Sequence, residues 1–144
     1  MIEISKLAID DLNGLSLLYQ QLIPNDISIA KMQDVYRKNK DNPNHIVLVA
    51  KEDGNLLGTV LASICEMYFG QCKSFMVVED VVVDSKYRGR GIGSALMKEI
   101  EKYGREHNCS YIMLITDKDR IDSQKFYATL GYDSSEYCAF KKRL

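Results

Sequence analysis

Residues 75–94, FMVVEDVVVDSKYRGRGIGS, decide the fold of this chain. The first nine, Phe75–Val83, are almost wholly apolar, which is typical of a central strand covered on both faces. The glycine-rich turn that follows leads into a segment in which Ile92, Leu96 and Ile100 recur at helical spacing. A buried strand, a glycine-rich turn and an amphipathic helix are therefore predicted in direct succession.

Upstream of this stretch the sequence predicts a short strand and two helices. The strand covers about Ile2 to Leu7, and apolar residues at spacings of three and four then continue as far as Pro24. The residue before a proline avoids the helical region, so the first helix ends there. A second helix is expected from Ser28, which can act as its N-cap, to about Lys38.

A β-hairpin comes between those helices and the central strand. Asp53-Gly54 is a strong signal for a tight turn between a strand at residues 46–50 and a return strand at about 56–68. Gly58 within the return strand suggests a bulge.

Downstream, the helix that begins near Ile92 is expected to end at about His107. A buried strand at residues 111–115 and a short helix at about 122–130 follow. The last stretch, Tyr132 to Lys142, is predicted to form one or two strands. This order indicates an α/β or α+β sheet with helices on both faces.

Composition excludes several classes of partner. The chain has 144 residues, 19 basic and 20 acidic side chains and a net charge of -1, which predicts one domain, residues 1–144, with no nucleic-acid or membrane partner. No apolar run approaches the ~18 residues of a membrane span, and Met1–Lys6 does not resemble a signal peptide. The four cysteines form no C-x-x-C pair and no histidine has metal-ligand spacing, so we expect no metal and reduced thiols in a cytoplasmic protein.

The glycine-rich turn, residues 84–94, has the chemistry of a phosphate cradle. Glycines let the backbone approach a ligand, and the first N–H groups of a helix have no partners within the helix. Arg88 and Arg90 add positive charge. The P-loop pattern fails because no lysine follows Gly93, and the dinucleotide pattern fails because five residues separate Val83 from the first glycine. A simple surface turn that caps the helix is the alternative.

A third phosphate-binding pattern fits these residues. The run Arg88-Gly89-Arg90-Gly91-Ile92-Gly93 matches R/Q-x-x-G-x-G/A, and the chain thereby resembles the GNAT acetyltransferase superfamily, whose order of elements it also shares. The resemblance implies a mixed, mostly antiparallel central sheet of about six to seven strands flanked by about four helices. It also implies acetyl-CoA as cosubstrate, with Arg88, Gly89, Arg90, Gly91, Ile92, Gly93 and Ser94 around the pyrophosphate.

The resemblance extends to the end of the central strand. Val81, Val82 and Val83 are expected to pair with the amide-rich pantetheine arm, much as an added strand pairs with a sheet edge. Backbone N–H groups near Val81 would also polarise the thioester carbonyl.

A second signature of the superfamily lies near the C-terminus. Residues 123–132, SQKFYATLGY, resemble A-x-x-F-Y-x-x-x-G-F/Y, with Ser123 in place of the usual alanine. The resemblance assigns to Tyr127 both cofactor contact and protonation of the departing thiolate, which an unperturbed tyrosine can perform because it keeps its proton at pH 7. Arg120 stands where an asparagine commonly helps to hold the cofactor.

Two carboxylates interrupt the apolar strand. Glu79 and Asp80 are costly there unless they are paired, hydrated or functional, and a carboxylate in this place can take the proton of an amine nucleophile. Alternation along a strand is expected to put them on opposite faces. We favour Glu79 as the catalytic base and Asp80 as a structural residue or substrate ligand; a strand opened to solvent at this point is the alternative.

The predicted function is transfer of the acetyl group of acetyl-CoA to a primary amine of a small molecule by direct attack. Residues 78–89 also resemble the matching part of glucosamine-6-phosphate N-acetyltransferases, which makes an amino-sugar phosphate one option. Polyamines, aminoglycosides and peptide N-termini stay open, because the first two helices and their loop, which set the acceptor, carry no motif. A non-catalytic acetyl-CoA sensor is the alternative class, and a homodimer is expected by resemblance only.

Overall fold

The computed structural model describes all residues, Met1–Leu144, and the chain divides into two compact units, Met1–Met113 and Leu114–Leu144. The prediction of one domain is not tested by this division and stays a prediction. No helix is both long enough and apolar enough to cross a bilayer. In chain order, the strands and helices are β1 (Glu3–Lys6), α1 (Leu12–Leu22), α2 (Ile29–Asn39), β2 (His45–Glu52), β3 (Asn55–Cys65), β4 (Ser74–Val83), α3 (Ile92–Glu106), β5 (Cys109–Leu114) and α4 (Ile121–Thr129).

The strands form one mixed sheet in the order β1-β2-β3-β4-β5, and β1 to β4 pair antiparallel. The predicted α/β class and four helices are confirmed, but the sheet has five strands instead of about six to seven. The strands expected within Tyr132–Lys142 are absent. Asp133 instead accepts hydrogen bonds from the backbone N–H of Ser135 at 2.8 Å and from its hydroxyl at 2.7 Å. Such local turns compete with ladder pairing, and residues 133–144 are exposed.

The hairpin between β2 and β3 forms as the sequence predicts. Asp53 and Gly54 both have positive φ, 50° and 78°, which suits a two-residue turn that follows the twist of its strands. The register then shifts by one residue between Ala50 and Lys51, so Leu57 is the extra residue in β3 and Gly58 lies beside it. The bulge predicted at Gly58 is therefore confirmed.

A second bulge lies in β4 and was not predicted from the sequence. Leu61 pairs with Glu79 and Thr59 pairs with Val82, so two residues of β4, Asp80 and Val81, lie opposite a single residue of β3. Asp80 adopts a left-handed conformation, with φ of 51°. A bulge of this kind bends the strand and leaves its extra residue outside the ladder.

The core lies between the sheet and the helices α1 and α3. Leu12, Leu15 and Leu18 of α1 are buried, as the helical spacing in the sequence predicts. Helix α3 buries Ile92, Leu96, Met97 and Ile100. It lies against the face of β3 toward which Gly58 points, and this close approach depends on the missing side chain.

Helix α2 begins as predicted but packs differently from its neighbours. The hydroxyl of Ser28 accepts a hydrogen bond from the backbone N–H of Lys31 at 3.3 Å and so caps its N-terminus. The helix is amphipathic in sequence, yet none of its residues is buried. Its apolar face, which includes Met32, Val35 and Tyr36, lines a cavity instead of packing onto the sheet.

Substitution of Gly58 by alanine should destabilise the fold. A methyl group there would come within 3.0 Å of the Val82 carbonyl oxygen and within 3.2 Å of side-chain atoms of Ile92 and Leu96. Overpacking of this kind costs about 1–3 kcal/mol. Chemical denaturation monitored by circular dichroism would measure the free energy of unfolding.

Gly104→Ala is the matched control. The nearest atom to its methyl group would be the flexible end of Met76, at 3.4 Å, and the side-chain atoms of Cys109 and Ile112, at 3.7 and 3.9 Å, lie at ordinary contact distances. Alanine favours a helix over glycine by about 1 kcal/mol, so Gly104→Ala should be neutral or stabilising. Equal loss of stability in both variants would show that close packing at Gly58 is not the cause.

Candidate active site

The turn between β4 and α3 is fixed at its start by hydrogen bonds. The backbone N–H of Asp84 donates to the Leu57 carbonyl at 2.8 Å, and an oxygen of the Asp84 carboxylate accepts from the N–H of Lys86 at 2.9 Å. The N–H of Ser85 donates to the side-chain oxygen of Gln21 at 3.0 Å. These bonds anchor the start of the turn to β3 and to α1.

The glycines of the turn hold conformations that other residues rarely adopt. Gly89 and Gly91 have φ of 78° and 77°, in the left-handed region. Gly91 is the N-cap residue of α3, and its carbonyl accepts the first helical hydrogen bond, from Ala95 at 3.0 Å. No side chain caps this helix.

The N–H groups of the first turn, at Ile92, Gly93 and Ser94, therefore keep the capacity to bind an anion. A helix of 15 residues adds its dipole to that effect. The geometry fits a pyrophosphate held by backbone groups.

The two arginines of the turn are already engaged. One guanidinium nitrogen of Arg90 donates to both carboxylate oxygens of Glu52, at 2.9 and 3.0 Å, and this bond lowers the pKa of the Glu52 carboxyl. Arg88 donates from Nε to the Val83 carbonyl at 3.3 Å. Both arginines thus tie the turn to the sheet, and the charge of Arg90 is balanced by its partner.

The edge of β4 beyond the bulge extends past its neighbour β5. Ser110 donates from Oγ to the Ser74 carbonyl at 3.2 Å, and the rings of Phe75 and Tyr111 stack with centroids 5.2 Å apart. Both pairs share an offset of 36 residues, which indicates parallel strands. The same offset aligns Leu114, the last residue of β5, with Val78, the fifth residue of β4. Residues Glu79–Val83 of β4 therefore extend beyond the end of β5.

The two carboxylates of β4 lie in different surroundings. Both residues are exposed, which agrees with the alternative that the strand opens to solvent here. The bulge interrupts the alternation from which opposite faces were expected. Asp80 lines the cavity beside α1, whereas Glu79 does not. Although Asp80 is exposed as a whole residue, its carboxyl loses some hydration beside the cavity, and this desolvation raises its pKa because the charged form is disfavoured.

The cavity between the sheet, α1 and α2 has a volume of about 710 Å³. Tyr19 of α1, Leu61 of β3 and Asp80 are among the residues around it. Burial, and after it the charge of Asp80, raises the pKa of the Tyr19 hydroxyl. Sequence reasoning assigned no role to Tyr19, although its spacing from Leu15 and Leu22 already placed it on the inner face of α1.

Tyr127 belongs to the second unit, Leu114–Leu144. It lies in α4, where its ring contacts those of Phe126 and Tyr132 with centroids 5.2 and 6.0 Å apart. Gly131 follows the helix with φ of 89°, as expected for its C-terminal stop. Arg120, in the position where an asparagine was expected, pairs with the carboxylate of Asp117 at 3.8 Å.

Comparison with known proteins shows which family this chain belongs to. The family model of the acetyltransferase (GNAT) family matches residues 15–132. The chain belongs to the acetyltransferase (GNAT) family. The resemblance seen in the sequence is thereby confirmed, and with it the acetyl-CoA-dependent N-acetyltransferase class.

Individual GNAT proteins resemble this chain over most of its length. Aminoglycoside N(6')-acetyltransferase type 1 of Salmonella typhimurium is 26% identical over 123 residues, which are 83% of this chain and 81% of that protein. Glucosamine-6-phosphate N-acetyltransferase from Arabidopsis thaliana shares the fold, with a TM-score of 0.87, 22% identity and coverage of 99% and 98%. An aminoglycoside N-acetyltransferase solved in complex with CoA also shares it, with a TM-score of 0.83, 23% identity and coverage of 99% and 95%.

Gly91→Asp should weaken acetyl-CoA binding more than Gly91→Asn does. Asparagine and aspartate have the same shape, both tolerate the left-handed region, and the space around Gly91 is open, so both variants should fold. The added carboxylate repels the pyrophosphate, and we expect an affinity at least about tenfold lower than that of Gly91→Asn. Calorimetric titration with acetyl-CoA measures it.

Gly70→Asp is the control for a new charge at a left-handed glycine, because Gly70 also has a positive φ, 62°, and open space around it, and lies in the loop before β4, at the opposite end of that strand from the turn. It should bind acetyl-CoA like the wild type. Equal affinities for Gly91→Asp and Gly91→Asn, or no binding to the wild type, would show that the turn only caps α3.

Proposed function

We propose that this GNAT protein transfers the acetyl group of acetyl-CoA to the primary amine of a small molecule by direct attack. The observation that carries the proposal is the uncapped N-terminus of α3, which is reached through two left-handed glycines in the turn that follows β4, whose edge its neighbour leaves uncovered. A diphosphate and an amide-bearing arm need these two features in this order.

In this proposal, residues 88–94 hold the pyrophosphate of acetyl-CoA, chiefly through backbone N–H groups. The role of Arg90 is to hold the turn against Glu52. The edge at Val81–Val83 pairs with the pantetheine arm. Since Asp80 and Val81 lie outside the ladder with β3, an N–H near Val81 is also the proposed donor to the thioester carbonyl oxygen.

Two side chains complete the proposed chemistry. Glu79 takes the proton of the amine, directly or through water, and its exposed carboxylate can pass that proton to solvent. The amine nitrogen attacks the thioester carbonyl, and the carbon–sulfur bond breaks. Tyr127, which also contacts the cofactor, gives its proton to the departing thiolate of CoA.

The acceptor is a small-molecule amine. The relatives named above act on aminoglycosides or on glucosamine 6-phosphate, which supports amines as the substrate class. Polyamines and peptide N-termini are the other candidates. The absence of a metal, a homodimeric state and a cytoplasmic location stay predictions.

A screen of amines with free CoA as the readout tests the proposal. Wild-type protein with acetyl-CoA and an amine of each class should release CoA well above the rate without amine. Tight acetyl-CoA binding with no release for any amine class would favour the non-catalytic sensor instead.

The roles of Tyr127 and Glu79 can be tested by paired replacements. Tyr127→Phe and Glu79→Gln should each lower kcat by about 10²–10⁴ while acetyl-CoA affinity stays close to that of the wild type, because each removes a proton-transfer group. Tyr137→Phe, an exposed tyrosine of the same unit, is the control and should keep full activity. A loss below about threefold with an intact fold would exclude the replaced residue as acid or base.

A further inference from the structure

The cavity lined by α1, α2 and the sheet has the size of a small-molecule site. Its volume of about 710 Å³ lies within the range of roughly 300–1,000 Å³ in which drug-sized ligands bind. Met32, Val35 and Tyr36 of helix α2 line this space, and no residue of the helix is fully buried. Apolar side chains that stay partly exposed gain stability when an apolar group fills the space beside them.

The α1 side of the cavity is largely apolar. Leu15, Tyr19 and Leu22 contribute from α1, and Leu61 contributes from β3. A polyhydroxylated sugar needs hydrogen-bonding partners over its whole surface, because each unpaired hydroxyl that loses water raises the free energy of the complex. The amide and hydroxyl side chains of the cavity, Asn25, Ser28, Asn39 and Asn42, lie on α2 and on the loops at its ends, not on α1. The side chains from α1 and β3 instead suit an aromatic or aliphatic body.

The charges of the cavity do not suit a polycation. Asp26 and Asp80 are its carboxylates, and Lys6, Lys31 and Lys40 are its ammonium groups, with His45 the remaining titratable side chain apart from tyrosines. Aminoglycosides and polyamines carry several positive charges, which three lysines repel. The single carboxylate on the sheet, Asp80, matches one ammonium group.

Asp80 is not explained by the fold alone. Its bulge position, with φ of 51°, would accept glycine at lower conformational cost. Partial burial disfavours its charged form, and no ion pair or hydrogen bond from another residue compensates it. A carboxylate with an unfavourable backbone conformation and an uncompensated loss of hydration is typical of a binding site.

We infer that the acceptor is a monoamine with an apolar body, whose ammonium group pairs with Asp80 and whose body lies between α1 and α2. This inference rests on the proposed function and narrows its substrate. The body is held by contacts with α2. Asp80 then binds the ammonium group, whereas Glu79, which is adjacent along the chain but outside the cavity, removes the proton of the amine.

The first test compares kcat/KM for defined amines at saturating acetyl-CoA. The apolar probes are 2-phenylethylamine and hexylamine; the polar probes are glucosamine 6-phosphate, kanamycin and spermidine. We expect kcat/KM for an apolar probe to exceed that of every polar probe by at least about tenfold, since loss of a few apolar contacts alone is worth 10–200-fold. Turnover of a polar probe as fast as, or faster than, both apolar ones overturns the inference but leaves the acetyltransferase proposal intact. No turnover with any probe removes both.

The second test asks whether the apolar body of the amine contacts α2. Met32→Asn should raise KM for 2-phenylethylamine about tenfold, with kcat and the KM for acetyl-CoA unchanged. Lys38→Asn puts the same residue on an exposed part of α2 outside the cavity and should change neither constant. Equal effects of the two variants would overturn the inference.

The third test separates the neighbouring carboxylates. Asp80→Asn keeps the shape and tolerates the left-handed conformation, so the fold should persist. It should raise KM for 2-phenylethylamine at least about tenfold, as expected for loss of a partly buried charge partner. Glu79→Gln should act mainly on kcat. An unchanged KM in Asp80→Asn would overturn the role of Asp80 as the ammonium partner.

Discussion

The extra residue in β4 is the constraint on which the site depends. Two residues of β4, Asp80 and Val81, oppose one residue of β3, so the ladder is interrupted in the middle of an otherwise apolar strand. Backbone groups that would pair with β3 are freed, and the strand bends where it leaves the cover of β5. Beyond the interruption the strand pairs again, at Thr59 with Val82, and delivers the chain to the turn before α3. The proposed binding edge and the two carboxylates therefore lie at one local irregularity, just before the turn proposed to bind phosphate.

The turn proposed to bind phosphate offers backbone geometry more than side-chain charge. Its arginines were expected to add positive charge. Arg90 instead forms an ion pair with Glu52, and Arg88 donates a hydrogen bond to the Val83 carbonyl. What is left for an anion is the row of N–H groups at the start of α3 and the helix dipole. This arrangement explains why glycine spacing was the informative part of the sequence pattern. The left-handed φ of Gly89 and Gly91 sets the direction in which those N–H groups point.

Features set by local chemistry could be predicted from the sequence. The turn at Asp53-Gly54, the cap at Ser28 and the apolar face of α3 each depend on a few neighbouring residues, and all formed as expected. Features that depend on pairing with another strand could not be predicted from the sequence. The bulge at Asp80 is a matter of register between β3 and β4, which no pattern within one strand reveals. The strands expected after Tyr132 failed for the same reason, because a strand requires a neighbour to satisfy its backbone groups.

In the proposed mechanism, the two adjacent carboxylates at the bulge have different roles. An amine acceptor must be held as a cation and yet attack as a neutral group, and one carboxylate serves both needs poorly. A group that stabilises the ammonium ion makes the proton harder to remove, whereas a base must take it away. The bulge separates these tasks between neighbours in the chain, because Asp80 lines the cavity and Glu79 stays in contact with water outside it. Strict alternation would also separate the two side chains, but would put the whole thickness of the sheet between them. An interrupted ladder would keep binding and proton removal on the same short segment of backbone that is proposed to receive the thioester.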